Sequence, residues 1–285
     1  MGAGDHEQLG LDLLDPAFSA PALHRVTPAR LAAWASCPRR YRLLYLDRPA
    51  PPRGGAWAHT TLGAVVHLAL RSLFELVPSR RSPELAAQLV DRNWSDEGFR
   101  DAAQSADYRA RARDWVAAIA AGPDGRTEPV ALERGVREPV GTMLVEGRID
   151  RVDVRDGESV VVDYKTGNVP TPERARDSQA LALYALAAGP ALRRPCHRVE
   201  LHHVPTGEVA AWEHDDASLR GHRERAEHQA AEMAAAADAL GDGGDPDVLF
   251  GVVTGTHCGT CPVRRNCAQG RAATPEPASW ALLPS

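Results

Sequence analysis

Lys165 is the only lysine among the 33 basic residues of the chain. It ends the run VVDYK at residues 161–165, whose β-branched residues predict a strand. Side chains two positions apart on a strand share a face, so Asp163 and Lys165 should point the same way. A compact ammonium is not interchangeable with a guanidinium. Unless the lysine persists by chance at a surface site, the pair indicates a metal-binding carboxylate beside its catalytic partner.

A second aspartate should face this pair. An Asp-Gly dipeptide at residues 156–157 joins two alternating runs, 142–154 and 159–165, and this pattern predicts a two-residue β-hairpin. With 156–157 as the loop, Asp150 lies directly opposite Asp163. Directly opposed residues have Cβ atoms about 4.5–5.5 Å apart. Two such carboxylates repel each other, and a divalent cation between them removes the repulsion.

The predicted site suits the hydrolysis of phosphate esters. Mg²⁺ typically takes one or two carboxylates together with water and substrate phosphate, and the carbonyl of Tyr164 is a further candidate ligand. Lys165 would orient the attacking water or stabilise charge on the phosphorane oxygens. The metal acts as a Lewis acid and as a source of hydroxide near neutral pH. The alternative is a solvated hairpin face that carries two unrelated aspartates.

Composition limits the classes that the protein can belong to. With 285 residues, 44% of them hydrophobic and 25% charged, we expect one folded domain with appendages. The net charge of −5 does not attract nucleic acid to the whole molecule, so binding would need local arginine clusters. The sequence shows neither a signal pattern nor an apolar run of about 20 residues, and we expect a cytoplasmic protein with no membrane partner.

Hydrophobic periodicity changes once along the chain. Helices precede Gly122-Pro123, and strands with a period of two follow it, which predicts an α/β class with a mixed sheet. Residues 1–24 are expected to form a flexible tail, 25–270 the folded domain, and 271–285 a C-terminal tail. We expect helices at 27–46, from 61 onward, 83–94, 104–121, 173–188 and 216–240, and strands at 130–138, 142–154, 159–165, 197–205 and 208–213.

Five cysteines in such a chain favour metal ligation over disulfides. Three follow the pattern C-x2-C-x5-C at Cys258, Cys261 and Cys267, and Cys37 lies far upstream. Four thiolates suit either tetrahedral zinc or an iron–sulfur cluster, and the spacing leaves both open. Cys196 fits neither set and is expected to be a buried free thiol.

The motifs together resemble the PD-(D/E)XK nucleases of the RecB type. That family combines a Gly-x-x-x-His helix, an Asp strand, an Asp/Glu-x-Lys strand and a Gln-x-x-x-Tyr helix. The chain offers, in this order, Gly63 to His67, Gly147 to Asp150, and Asp163 to Lys165. In the last motif Gln179 and Tyr184 are separated by four residues instead of three, so Ala180 takes the glutamine position if Tyr184 keeps the family register.

The resemblance implies a restriction-endonuclease-like core, in which a central mixed β-sheet is flanked by helices. It also implies Mg²⁺ or Mn²⁺ as cofactor, with His67 completing the metal site and Gly63 allowing its helix to approach the sheet. The implied metal ligands are His67, Asp150, Asp163 and Tyr164. The implied catalytic residues are Lys165, Asp150, Asp163 and Tyr184.

The cysteine pattern resembles RecB-like nucleases of the AddB and CRISPR-associated types, and the likeness runs from Thr27 to Gly270. In them one cysteine before the nuclease core and three after it hold a [4Fe–4S] cluster. The resemblance therefore implies a cluster segment that clamps the C-terminal part of the chain to the first helix. Candidate phosphate contacts surround it, namely Arg39, Arg40, Arg42, Arg264 and Arg265. Trp34, Tyr41 and Tyr45 are expected either to stack on unpaired bases or to be core residues.

We therefore expect a metal-dependent deoxyribonuclease, an exonuclease on DNA ends or single strands in DNA repair or recombination. The alternatives are a CRISPR-adaptation nuclease and a non-catalytic iron–sulfur subunit that binds DNA. The sequence has no G-x4-G-K-[ST] loop, so a helicase partner would be a separate chain. The run from Gln8 to Leu14 resembles a sliding-clamp docking peptide, although its leucines would alternatively fold back on the nuclease surface.

Overall fold

The computed structural model describes residues 23–284. A mixed sheet lies between two helical layers. The strands are β1 (His24–Val26), β2 (Ala131–Val140), β3 (Met143–Arg155), β4 (Glu158–Lys165), β5 (Arg198–His203) and β6 (Val209–Glu213). The helices are α1 (Pro28–Ser36), α2 (Pro38–Tyr45), α3 (Ala58–Phe74), α4 (Pro83–Asn93), α5 (Ala102–Ala121), α6 (Pro172–Arg176), α7 (Gln179–Leu192), α8 (Asp216–Gly241), α9 (Pro246–Leu249) and α10 (Ala268–Ala273).

The predicted hairpin forms between β3 and β4. Asp156 and Gly157 occupy its two loop positions with φ values of 51° and 84°, the left-handed backbone that such turns require. The pairs run from Arg155 opposite Glu158 to Arg151 opposite Val162. One position further along, this register sets Asp150 against Asp163, beyond the last recorded pair.

Strand β3 organises the rest of the sheet. It pairs antiparallel with β2 along residues 143–152, and parallel with β1 along 143–145. Strand β4 pairs with residues 151–155 of β3, and it lies parallel to β5, which pairs antiparallel with β6. Because β2 occupies one edge of β3, β1 and β4 share the other. Residues 146–150 lie between these two partners on the shared edge.

Two hydrophobic clusters cover the two faces of the sheet. On β4, Val160, Val162 and Tyr164 pack in the cluster formed with α3, α4 and α5. Val161 packs on the opposite face, in the cluster formed with α1, α7 and α8. Alternation of side chains along a strand explains this division. It also puts Asp163 and Lys165 on the face covered by α7.

Two predicted helices are each split into two. Cys37 separates α1 from α2 because it precedes Pro38, and its backbone is extended at φ −170° and ψ 112°. Asp177 and Ser178 separate α6 from α7, and the Ser178 side chain caps the start of α7. Strand β1 was not expected, and it begins at His24, inside the span assigned to the flexible tail.

The segment that sequence analysis separated as a C-terminal tail contacts the helical layer as far as Pro284. The Ala58 amide, at the start of α3, donates to the carbonyl of Ser279 at 3.0 Å. The Tyr108 hydroxyl donates to the carbonyl of Pro284 at 2.6 Å, and Leu283 packs against the cluster around α3. These residues therefore belong to the folded structure.

Candidate active site

Helix α3 brings His67 to the end of the β3–β4 hairpin. The Nδ1 atom of His67 lies 3.3 Å from Oδ2 of Asp150, and its Nε2 donates to the carbonyl oxygen of Tyr164 at 3.1 Å. Burial alone would lower the pKa of His67, but the hydrogen bond and charge of Asp150 outweigh burial and raise it. Three predicted metal ligands therefore meet at one point.

Asp163 and Lys165 form an ion pair on the predicted common face, with Nζ 2.5 Å from Oδ2. Burial raises the pKa of Asp163; the Lys165 charge opposes this rise and the Asp150 charge adds to it. Asp150 in turn accepts a hydrogen bond from the backbone N–H of Tyr164 at 3.1 Å. The two aspartates are thus close enough to repel, as expected for side chains that share a cation.

Close to the site, the side chains of β2 and β3 do not alternate regularly between the two faces of the sheet. On β3, Val145 and Ile149 pack in the same cluster as Val152. On β2, Ala131 and Val136 pack there as well. A regular strand would put odd and even positions on opposite faces. Regular alternation is therefore broken between Ala131 and Val136 on β2, and between Ile149 and Val152 on β3.

The irregularity falls on Glu133 and Asp150, which face each other across β2 and β3. Leu132 pairs with Arg151 and Arg134 with Ile149, whereas the two acidic residues between them do not pair. Glu133 has a φ of 44°, in the left-handed region that non-glycine residues rarely adopt. The departure turns its carboxylate toward the site.

Glu133 was missed in the sequence analysis. One ligand atom each from His67, Glu133 and Asp150 lies within 4.8 Å of the others. With Asp163, the acidic residues form one row across three neighbouring strands. The position of Glu133 could have been predicted from the sequence, because Gly141 and Thr142 form a two-residue loop between Val140 and Met143. Counting back from that loop sets Glu133 opposite Asp150.

A buried ion network fixes the backbone of Tyr164 beneath the site. Arg151 is fully buried and binds Asp153 at 2.7 Å and Asp124 at 2.8 Å. It also donates to the hydroxyl of Tyr164 at 3.2 Å. A charge buried at this depth needs such partners. The anchored ring holds the Tyr164 carbonyl where it accepts from His67.

Helix α7 brings Tyr184 to the open stretch of β3. A Cβ atom added at Gly147 would lie 2.6 Å from Cε1 of Tyr184, so glycine allows the ring to lie against the strand. Burial raises the pKa of Tyr184, and the charges of Asp150 and Asp163 add to the rise. Gln179 donates instead to Gln229 at 3.1 Å.

Gly63 behaves differently from Gly147. A Cβ atom added there would lie 3.5 Å from Oγ1 of Thr166, an ordinary van der Waals contact. The approach of α3 to the sheet therefore leaves room for a methyl group at this position, contrary to the expectation from the motif.

The four predicted cysteine ligands line one small cavity. Its walls are largely apolar through Leu43, Val252, Val253 and Val263, and the basic residues Arg39, Arg40, Arg264 and His257 border it as well. Gly270 closes one side, because a Cβ there would lie 3.4 Å from Sγ of Cys267 and 3.6 Å from Sγ of Cys258. Cys196 packs in the hydrophobic core away from this cavity, and burial raises its pKa to about 12.

Arg264 is not a surface cation. Only 8% of the residue is exposed, and Nη1 donates to the carbonyls of Cys258 at 3.1 Å and Gly270 at 2.9 Å. It braces the cysteine segment, which corrects its assignment as a phosphate contact. Arg265 is exposed, as a phosphate contact requires.

Two further candidates for phosphate contact, Arg39 and Arg42, are engaged with an acidic residue of the protein. Arg39 binds Asp247 at 2.8 Å, and Arg42 lies 3.5 Å from the same carboxylate. Tyr41 is buried and meets the ring of Trp34 edge to face at 5.6 Å. Tyr41 belongs to the core, and Trp34 is partly buried and packs against it.

The family model of the PD-(D/E)XK nuclease superfamily matches residues 25–268, which is most of the chain. The chain belongs to this superfamily. It is accordingly a nuclease, a phosphodiester hydrolase with DNA as its substrate, and its family typically uses Mg²⁺ or Mn²⁺. No curated protein matches the chain. Among residues 23–284, no helix is long and apolar enough to cross a membrane.

We expect Gly147→Ala in this nuclease to displace Tyr184 and to lower the free energy of unfolding by about 1–3 kcal/mol, the usual range for overpacking. Urea unfolding measures the change. In a Tyr184→Ala background the same Gly147→Ala change should cost little, because the clashing ring is already absent. Wild-type stability in Gly147→Ala alone would contradict the close contact.

Replacing Glu133 with Gln should weaken Mn²⁺ binding by about tenfold or more, a loss seen even for residues that only orient a metal ligand. Calorimetric titration without DNA measures it. Glu138→Gln is the matched control, because Glu138 lies on the same strand and pairs with Val145. Equal affinity in both variants would remove Glu133 from the site.

Proposed function

We propose that the protein is a Mg²⁺- or Mn²⁺-dependent exodeoxyribonuclease that acts on DNA ends or single strands in repair or recombination. The observation that carries the proposal is the convergence of His67, Asp150 and the Asp163–Lys165 pair at the open end of the hairpin. The exonuclease mode rests on the resemblance to RecB-like enzymes. A CRISPR-adaptation nuclease would share this chemistry and differ in its partners.

The donor set fits a hard divalent cation. The carboxylates of Glu133, Asp150 and Asp163 and the carbonyl of Tyr164 supply oxygen, and His67 supplies nitrogen. Burial raises the pKa of Asp163, and the nearby Asp150 carboxylate adds to the rise; a cation relieves the repulsion between the two carboxylates. When bound, the cation would supply Lewis acidity and a more acidic water.

The side chains of the protein would do the remaining work. Lys165 is half-exposed beside Asp163, and there it would hold the attacking water or stabilise charge that develops on the phosphate oxygens. Tyr184 lies over Gly147 and would form the wall against which the scissile phosphate is positioned. With Asp150, Asp163 and Lys165 all present, a non-catalytic DNA-binding subunit is the weaker alternative.

We further propose that Cys37, Cys258, Cys261 and Cys267 hold a [4Fe–4S] cluster. All four thiols line one cavity, and either tetrahedral zinc or an iron–sulfur cluster would take four such ligands. The preference for the cluster rests on the resemblance of the cysteine pattern to RecB-like nucleases. Such a centre would join the α1–α2 break to the C-terminal segment.

Partners and location are proposed from the sequence. A separate helicase chain would unwind duplex DNA for this nuclease. The clamp-docking run from Gln8 to Leu14 lies outside the described residues, and binding of that peptide to a sliding clamp is its direct test. Reduced thiols for a cluster suit the cytoplasm, where glutathione and thioredoxin prevent disulfides.

Lys165→Ala, Asp150→Asn and Asp163→Asn should each lower DNA cleavage by about 10²–10³-fold or more, because each removes a group that stabilises the transition state. Lys165→Arg should fail as well, since a guanidinium is broader and more weakly hydrated. Cleavage of end-labelled single- and double-stranded DNA with Mg²⁺ or Mn²⁺ measures the effect.

Glu158→Gln, at the other end of the same strand, is the control and should keep full activity. A closed circular single strand should resist cleavage, because an exonuclease needs an end. Full activity in Lys165→Ala would overturn the active-site assignment, and rapid cutting of the circle would overturn the exonuclease mode.

The anaerobically purified protein should be brown and contain iron and acid-labile sulfide. Cys37→Ser and Cys258→Ser should lose both and unfold at a lower temperature, because metal binding is coupled to folding. Cys196→Ser should keep both. Elemental analysis and thermal melting measure these properties, and stoichiometric zinc without iron would show that the cluster assignment is wrong.

A further inference from the structure

Three arginines line the cysteine cavity together with the four thiols, and one of them, Arg264, donates to backbone carbonyls. The other two are Arg39 and Arg40. The Nε atom of each is buried and has no hydrogen-bond partner in the described structure. A buried N–H group without an acceptor is destabilising. Since both residues border the same cavity, an acceptor inside it would satisfy them.

The two arginines differ in how far their charge is already balanced. Arg39 binds Asp247 at 2.8 Å and donates to Gln269 at 3.2 Å. Arg40 forms no ion pair with any residue of the described chain. Arg40 is therefore the less compensated cation at the cavity.

The proposed centre carries the opposite charge. Four thiolates around a dicationic [4Fe–4S] core, or around Zn²⁺, leave a net charge of about −2. A negative centre in an apolar cavity is stable only where nearby cations and N–H donors balance it. The nearby Arg264 guanidinium donates to backbone carbonyls of the cysteine segment and so positions the loop.

We propose that Arg40, assisted by Arg39, is the counter-cation and N–H donor to the sulfurs of the four-cysteine centre. The inference rests on the metal centre of the proposed function. It replaces the expectation that these two arginines contact DNA phosphate. Arg40 is thus a positioning residue for the centre, acting through charge and hydrogen bonding to thiolate sulfur.

The test compares Arg40→Gln and Arg40→Lys with Arg265→Gln in anaerobically purified full-length protein. Arg265 is exposed on the same cysteine segment and does not line the cavity. Iron and sulfide content, the rate of iron release to a chelator, and the midpoint potential for one-electron reduction are measured. Affinity for a single-stranded oligonucleotide is measured in parallel, with Ca²⁺ in place of the catalytic metal.

We expect Arg40→Gln to release iron about tenfold faster, the usual effect of removing a group that supports a metal ligand. Its midpoint potential should become more negative, because loss of a nearby positive charge disfavours the added electron. Iron release and midpoint potential of Arg40→Lys should fall between those of Arg40→Gln and wild type, since lysine keeps the positive charge but lacks the forked N–H donors of the guanidinium. Arg265→Gln should match wild type in both properties.

Three outcomes would overturn the inference. Wild-type iron release and potential in Arg40→Gln would show that Arg40 does not support the centre. If Arg40→Gln binds the oligonucleotide more weakly but keeps an unchanged metal centre, Arg40 contacts DNA phosphate instead. Wild-type protein without iron would refute the cluster itself; if it then holds zinc, equal zinc release from wild type and Arg40→Gln would refute the counter-cation role separately.

Discussion

The structure of the site depends on the mutual repulsion of carboxylates that neighbouring strands bring together. Glu133, Asp150 and Asp163 occupy one row across β2, β3 and β4, and the backbone pairing of the sheet is interrupted at that row. Repulsion of this kind is destabilising unless a cation balances it. The surrounding residues are consistent with such a cation, because His67 and the Tyr164 carbonyl turn toward the same point. A sheet designed for stability alone would place neutral pairs there.

The hairpin was predictable because local rules determine it. An Asp-Gly turn fixes the β3–β4 register, and a period of two then determines which side chains share a face. The same reasoning placed Asp163 beside Lys165, and their 2.5 Å contact confirms the shared face. It did not reach Glu133, because only the β3–β4 hairpin was considered; the Gly141–Thr142 loop sets this residue opposite Asp150. The irregular alternation that turns the Glu133 carboxylate toward the site arises from tertiary packing, which a single sequence does not reveal.

The helices show the same limit. Periodicity located α3, α4, α5 and α8, whereas the breaks at Cys37 and Ser178 were missed. The break at Cys37 was predictable, since the residue before a proline avoids helical backbone and a helix usually ends there. Strand β1 has only three residues, too few for periodicity to detect. Burial of Arg264 was equally hidden, because its partners are backbone carbonyls that the loop brings together only after folding.

The cysteine segment also links the proposed metal centre to the catalytic helix. The Gly54 amide donates to the carbonyl of Pro262 at 2.8 Å, and the Asn266 side chain donates to the carbonyl of Pro52 at 3.0 Å. The segment thus holds the loop that leads into α3, the helix that carries His67. A centre that orders residues 258–267 would therefore also restrict the start of α3, so its effect on catalysis would be exerted through the position of His67 and need not involve electron transfer.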